Sequence, residues 1–249
     1  MPSFYTILGP LQIQTFTLVL ALAVAISAGW AVYRTSGRPG PLVDTCLGGL
    51  IGGVISARLI HVLLNWPYFE YNTREIVRIH AGGLDWHGAL LGGLIGLVAV
   101  ARWRQVDFPR LLDALTPVLP LLMLAGWWGC HAANCAYGVE VDTLANYPPL
   151  VVAELPDVYG IPAPRYDTQL FGLICGLLAA ALVVVLFWRG WLQGRRFWLI
   201  LALLSLSMFA IGFYRSDYAL SIAGLRDDQW LDLGVLIVSA AGTLRAKPG

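Results

Sequence analysis

Asp85 and His87 stand two residues apart at the start of a glycine-laced apolar run, Gly82-Gly83-Leu84-Asp85-Trp86-His87-Gly88-Ala89-Leu90-Leu91-Gly92-Gly93-Leu94-Ile95-Gly96. An imidazole beside a carboxylate can take up and return a proton near neutral pH, which is the chemistry of general acid–base catalysis. Ionisable groups at a membrane boundary are costly to desolvate, so they point to function. The plainer reading of His87 is a helix cap or an aromatic-belt neighbour of Trp86. Arg58 and His61 share a helix face in another apolar run. A guanidinium there requires a partner: Asp44, the carbonyls of a broken helix, or a lipid phosphate. His61 reads as a satisfied interior histidine. Arg215, with Asp217 after it, is a phosphate-binding cation or half of a surface ion pair. Cys130, His131 and Cys135 admit metal binding, a disulfide or two plain thiols, and their spacing is no common zinc signature. Cys46 and Cys175 read as small apolar side chains within spans.

These residues sit in a chain of 249 residues that is 58% hydrophobic and only 12% charged. A soluble domain carries about twice that charge. Runs of roughly 20 apolar residues are long enough to cross a bilayer, and seven are expected, at about 11–33, 44–65, 86–103, 111–129, 168–188, 197–214 and 229–244. The fold class expected is therefore an all-α polytopic membrane protein of seven transmembrane helices. The first 33 residues hold no basic cluster of a cleavable signal, so the first span reads as retained. Residues 139–167 hold five prolines, with Glu140, Asp142, Glu154 and Asp157 among them, which excludes a long helix. Val151, Val152, Leu155, Val158 and Ile161 give that segment apolar surface to pack, and it reads as an ordered extracytoplasmic head or lid.

Basic residues set orientation. Odd-numbered connections and the tail hold ten, and the N-terminal end and even-numbered connections hold five, which puts the N-terminus outside and the C-terminus in the cytoplasm. Fifteen of the sixteen basic residues are arginine, which suits both phosphate contact and leaflet anchoring. The net charge of +1 excludes a nucleic-acid partner. With this orientation Arg58, His61, His87, the run Gly126–Gly138, Gln169 and Arg215 all fall on the outer side, coming from separate spans. A single outer-leaflet cavity open to lipid is the expected site. Leu47-Gly48-Gly49-Leu50-Ile51-Gly52 recurs as Leu91-Gly92-Gly93-Leu94-Ile95-Gly96, by duplication or because close helix packing selects small residues twice.

Several motifs resemble those of the prolipoprotein diacylglyceryl transferase family: Gly9-Pro10-Leu11, Ser56-Ala57-Arg58-Leu59, Gly83 to Gly96, Arg165-Tyr166-Asp167-Thr168-Gln169-Leu170-Phe171, and Gly224-Leu225 with Gln229. The glycine frame Gly126-Trp127-Trp128-Gly129-Cys130-His131-Ala132-Ala133-Asn134-Cys135-Ala136-Tyr137-Gly138 is also similar. Within it Trp127, Cys130 and Cys135 replace a family arginine, asparagine and glutamate, which is nearer to a cysteine-bearing branch. Phe16 replaces a tyrosine, and Met208 and Gly212 replace an arginine and a glutamate. The resemblance implies a multi-pass protein of the bacterial inner (plasma) membrane that moves diacylglyceryl from phosphatidylglycerol to a cysteine thiol of a lipobox-bearing precursor. His87 is then the catalytic base. Arg58, Arg165 and Arg215 bind the lipid phosphate, and Phe16, Asp85, Gly126, Gly129, Cys130, Asn134, Gly138 and Gln169 line the site. No cofactor and no metal are expected. The second reading is a non-catalytic subunit that keeps the scaffold to bind membrane lipids or a larger membrane complex. A pigment or haem ligated by His61 or His87 is a minor variant of it.

Overall fold

The computed structural model describes residues 5–8, 11–35, 38–79 and 83–245, with side chains from residue 19 onward except residue 20. The chain is mostly helical. Its elements are β1 (Tyr5–Leu8), β2 (Leu11–Gln14), α1 (Thr15–Arg34), α2 (Pro39–Leu64), the single turn α3 (Trp66–Phe69), α4 (Trp86–Arg104), α5 (Phe108–Leu115), α6 (Val118–Ala133), β3 (Val152–Pro156), β4 (Pro162–Tyr166), α7 (Thr168–Arg189), α8 (Arg196–Gly212), β5 (Ser221–Ile222), β6 (Leu225–Arg226) and α9 (Asp227–Arg245). Among the described residues, four helical stretches are long and apolar enough to cross a membrane: Pro39–Leu64, Trp86–Arg104, Phe108–Ala133 and Thr168–Arg189. Ala21–Arg34 and Arg196–Gly212 are shorter apolar helices. The all-α expectation gains three small antiparallel hairpins, β1–β2, β3–β4 and β5–β6. The first of them takes residues 11–14 out of the first expected span. The stretch from Phe108 is interrupted before Val118 because Pro117 has no N–H and disfavours helix in the residue before it.

The chain forms two compact units, Ala28–Ala114 and the remainder. In the first, α2 and α4 pack against each other with almost no side chain between them. A Cβ at Gly92 would run into the carbonyl oxygen of Gly52, and one at Gly96 into that of Gly48. The two copies of Leu-Gly-Gly-Leu-Ile-Gly therefore face each other antiparallel, the first copy's Gly48 on the second copy's Gly96 and Gly52 on Gly92. Such a local two-fold contact selects the same small residues on both helices, which accounts for the repeat by packing. At the far end of the pair, Arg104 Nε donates to Asp44 Oδ2 at 2.7 Å. Asp44 is thus spent on Arg104 and is not the partner of Arg58. Both side chains are more than a third exposed, so Arg104→Ala is expected to lower stability by no more than about 1 kcal/mol. Thermal unfolding of the detergent-solubilised variant checks this.

In the second unit α6 packs on α7, α7 on α8 and α8 on α9. Ala179, Val183 and Leu186 of α7 bury against Ile200 and Leu204 of α8. The proline-rich segment is ordered. Val152 pairs with Tyr166 and Pro156 with Pro162, leaving a tip at 157–161. Asp157 Oδ1 accepts from the backbone N–H groups of Tyr159 (2.8 Å) and Ile161 (3.0 Å), which closes that tip.

Candidate functional site

In the first unit the polar residues gather where α2 meets the start of α4. Asp85 caps α4: its Oδ1 accepts from the Gly88 N–H at 2.8 Å, as a short carboxylate in extended backbone is suited to do. The cap is tied to α2 by the Asp85 N–H donating to the Ala57 carbonyl at 3.1 Å. His87 follows in the first turn and is 6% exposed. Its Nδ1 lies 3.7 Å from Asp85 Oδ1, and the Trp86 ring lies against it at 4.4 Å. His87 is thus a buried histidine that lies beside Trp86 and faces a carboxylate.

Arg58 donates from Nε to the Ile76 carbonyl (2.8 Å), from Nη1 to that of Gly83 (3.0 Å) and from Nη2 to that of Glu75 (2.5 Å), with the Phe69 ring 5.2 Å away. It ties the carbonyls of Glu75, Ile76 and Gly83 to α2. Gly83 has φ +70, and a Cβ there would lie 2.5 Å from His61 Nε2 and 2.8 Å from Arg58 Nη1. Only glycine leaves room for both side chains under this turn. His61 Nδ1 lies 3.5 Å from Asn65 Nδ2, which agrees with its reading as an interior histidine.

Burial raises the Asp85 carboxyl, but the neighbouring His87 and the hydrogen bond from Gly88 outweigh it and leave the group below the usual carboxylate range. A carboxyl depressed in the folded state adds stability that is present above its unfolded value and is lost as pH falls through its folded value. Asp85→Asn keeps an oxygen for the Gly88 N–H and removes the charge. It is expected to lower stability at neutral pH and to flatten the loss of stability through the acid range below the ordinary aspartate value. Thermal melts of both proteins across that range check it.

The second unit carries the other expected residues. α6 ends in a left-handed cap at Asn134 (φ 56), whose N–H faces the carbonyls of Cys130 and His131. Cys130 and Cys135 form a disulfide with their Cα atoms 4.6 Å apart, which corrects the reading of two thiols. The αL cap turns the chain back and brings the two cysteines within disulfide reach. Among the described residues no three His, Cys, Asp or Glu groups gather to hold a metal. Gln169 is 3% exposed and sits at the start of α7, which Asp167 caps through the Leu170 N–H (2.9 Å). Gln169 Nε2 donates to the Cys135 carbonyl at 2.7 Å, its Oε1 lies 3.3 Å from His131 Nδ1, and Thr168 Oγ1 donates to the Ala136 carbonyl at 2.6 Å. Gly138 is bridged to Arg215 and packs so closely on the Tyr166 backbone that no Cβ fits. Gly129 is buried, whereas Gly126 faces open space. The side chain of Phe16 lies outside the described residues.

Arg165 is 6% exposed, 3.3 Å from Glu140 and 3.7 Å from Asp157, with the Tyr137 ring at 5.2 Å. Arg215 binds Asp217 (Nε to Oδ1, 2.9 Å) and Asp228 (Nη1 to Oδ2, 2.9 Å). Burial lowers its tendency to hold a proton, and the bond to Asp217 with the charges of Asp217, Asp228 and Asp232 more than restores it, so it stays charged. Arg226 joins the same carboxylates, 3.0 Å from Asp228 Oδ1 and 3.4 Å from Asp217 Oδ1. The sequence pairs Arg215 only with its neighbour Asp217. The role of Arg226 is not visible there, because it depends on how β6 lies against the 215–217 turn.

Trp127, Ala136 and Ile211 form a buried apolar knot with Met123, Cys130, Phe171, Cys175 and Met208 around it. The Trp127 ring occupies the space left by Gly172, and Gly212 is covered by Gln229. Trp127 and Met208 thus sit in apolar packing, and Gly212 lies under the Gln229 side chain.

Comparison with known proteins agrees with the motifs. The family model for prolipoprotein diacylglyceryl transferase matches residues 2–245. A phosphatidylglycerol–prolipoprotein diacylglyceryl transferase of Nostoc sp. is 28% identical over 244 residues, covering 94% of this chain and 86% of the relative. The protein of that name in Symbiobacterium thermophilum is 31% identical over 224 residues, covering 88% and 83%. That of Clostridium novyi is 26% identical over 242 residues, covering 95% and 92%.

Proposed function

The chain belongs to the prolipoprotein diacylglyceryl transferase family, and from that membership we propose that it transfers diacylglyceryl from phosphatidylglycerol to a cysteine thiol of a lipoprotein precursor. The observation that carries this is the match of the family model over nearly the whole chain. In the reaction the thiol sulfur bonds to the glyceryl carbon, the bond from that carbon to the phosphate oxygen breaks, and glycerol phosphate leaves. The thiol proton passes to a base and then to the departing phosphate. His87 is that base, with Asp85 Oδ1 3.7 Å from its Nδ1. A cation facing the leaving phosphate stabilises the charge that develops on it. Arg58, held in the same unit as His87 by the carbonyls of Glu75, Ile76 and Gly83, supplies that cation. Arg165 and Arg215 reach phosphate only by sharing it with the carboxylates they already hold.

The chain is read as seven spans in the bacterial inner membrane, N-terminus outside, with the β3–β4 hairpin in the outer head. The second reading, a scaffold that binds lipid or a membrane partner without turnover, is favoured by the apolar packing of Trp127 and Met208, where the family resemblance implies charged residues. One assay separates the two. Labelled phosphatidylglycerol and a lipobox peptide are incubated with the purified protein in lipid. Label on the peptide cysteine is expected; no transfer across donor lipids and peptides would leave only the scaffold.

A further inference from the structure

His131 has no part in the reaction so far, yet its surroundings define its chemistry closely. The Cys135 carbonyl can only accept a hydrogen bond, so the Gln169 amide must turn its NH2 toward it, as the 2.7 Å contact shows. Gln169 Oε1 is thereby aimed at His131 Nδ1, 3.3 Å away. An amide oxygen also only accepts, so Nδ1 must carry the ring proton. The neutral ring then presents Nε2 with a bare lone pair. No group among the described residues bonds to that nitrogen, and the His131 side chain is exposed at the end of α6. Gln169 cannot turn over to suit another tautomer. It is 3% exposed, and the carbonyl it serves belongs to Cys135, which the disulfide and the Cys135 N–H to Cys130 carbonyl bond (2.9 Å) hold in place.

We propose that His131 is a substrate-binding residue whose bare Nε2 accepts a hydrogen bond from an uncharged O–H or S–H donor, with Gln169 as the positioning residue that sets its tautomer. Resting on the transferase reading, two substrate groups have this chemistry: a glycerol hydroxyl of the phosphatidylglycerol headgroup and the thiol of the acceptor cysteine.

The test uses the full chain, labelled with 15N-histidine, in nanodiscs. Wild type is expected to show the His131 ring protonated at Nδ1, and Gln169→Leu to move the proton to Nε2. Phosphatidylmethanol has the same phosphodiester but no hydroxyl, and an alanine-for-cysteine lipobox peptide has no thiol. A shift of the Nε2 resonance with phosphatidylglycerol but not phosphatidylmethanol assigns the headgroup, and a shift with the cysteine but not the alanine peptide assigns the acceptor. His131→Phe is expected to raise KM for the assigned substrate about tenfold, the worth of one hydrogen bond, with kcat little changed. A wild-type ring protonated at Nε2, or no shift with either ligand, overturns the proposal, as does an unchanged KM in an active His131→Phe protein. Resonance shifts in a protein without transfer activity would instead sink the transferase reading and leave this one standing.

Discussion

Replacing His87 by glutamine is expected to lower diacylglyceryl transfer by roughly 10²–10⁴-fold, the usual contribution of a positioned general base. The side chain is buried against Asp85 and Trp86, and glutamine fills much of the same space while supplying no base near neutral pH. A base lost from the reacting centre lowers kcat and kcat/KM together, whereas a lost packing contact would appear mainly in the melt. The assay follows label from phosphatidylglycerol to peptide for wild type and His87→Gln, beside thermal unfolding of each. Activity within about threefold of wild type, with an unchanged melt, would remove His87 from the chemistry. Arg58→Ala is the companion variant. It is expected to lower transfer and also stability, because the same guanidinium holds the carbonyls of Glu75, Ile76 and Gly83.

The largest structural effect is expected at Gly92. A Cβ there meets the carbonyl oxygen of Gly52 and the side chain of Ser56, and neither is the far end of a flexible group that can swing away. α2 and α4 would have to separate along their length. Gly92→Val should therefore cost about 3 kcal/mol or more, at the upper end of overpacking effects. Gly234→Ala, at an α9 position with nothing within 4 Å, is the control. It is expected to be neutral or slightly stabilising, since alanine favours helix over glycine by about 1 kcal/mol. Unfolding in detergent, followed by helical circular dichroism, compares the two. A Gly92→Val protein that melts with wild type would mean that α2 and α4 are not in backbone contact.

The apolar runs were legible residue by residue. Each expected span contains a helix, and the differences are set by local chemistry, the β2 strand at the start of the first run and the break before Val118 inside the fourth. The glycine repeat was visible too, and its cause became clear once Gly52 and Gly92 were seen in contact. The polar residues were harder. Asp85 could be recognised as lying at a helix start, because a cap acts within one turn.

The partners of Arg58 lie 17 to 25 residues away, and the glutamine that sets the His131 tautomer lies 38 residues away. No periodicity encodes such pairings. Apolar runs, helix faces and candidate ionisable residues follow from hydropathy and spacing along the chain, because each depends on neighbours within a few turns. Which carboxylate neutralises Arg215, which carbonyls hold Arg58 and which nitrogen of His131 is bare are fixed by packing between distant segments. A buried charge or ring proton takes the partner that the folded backbone brings within about 3 Å.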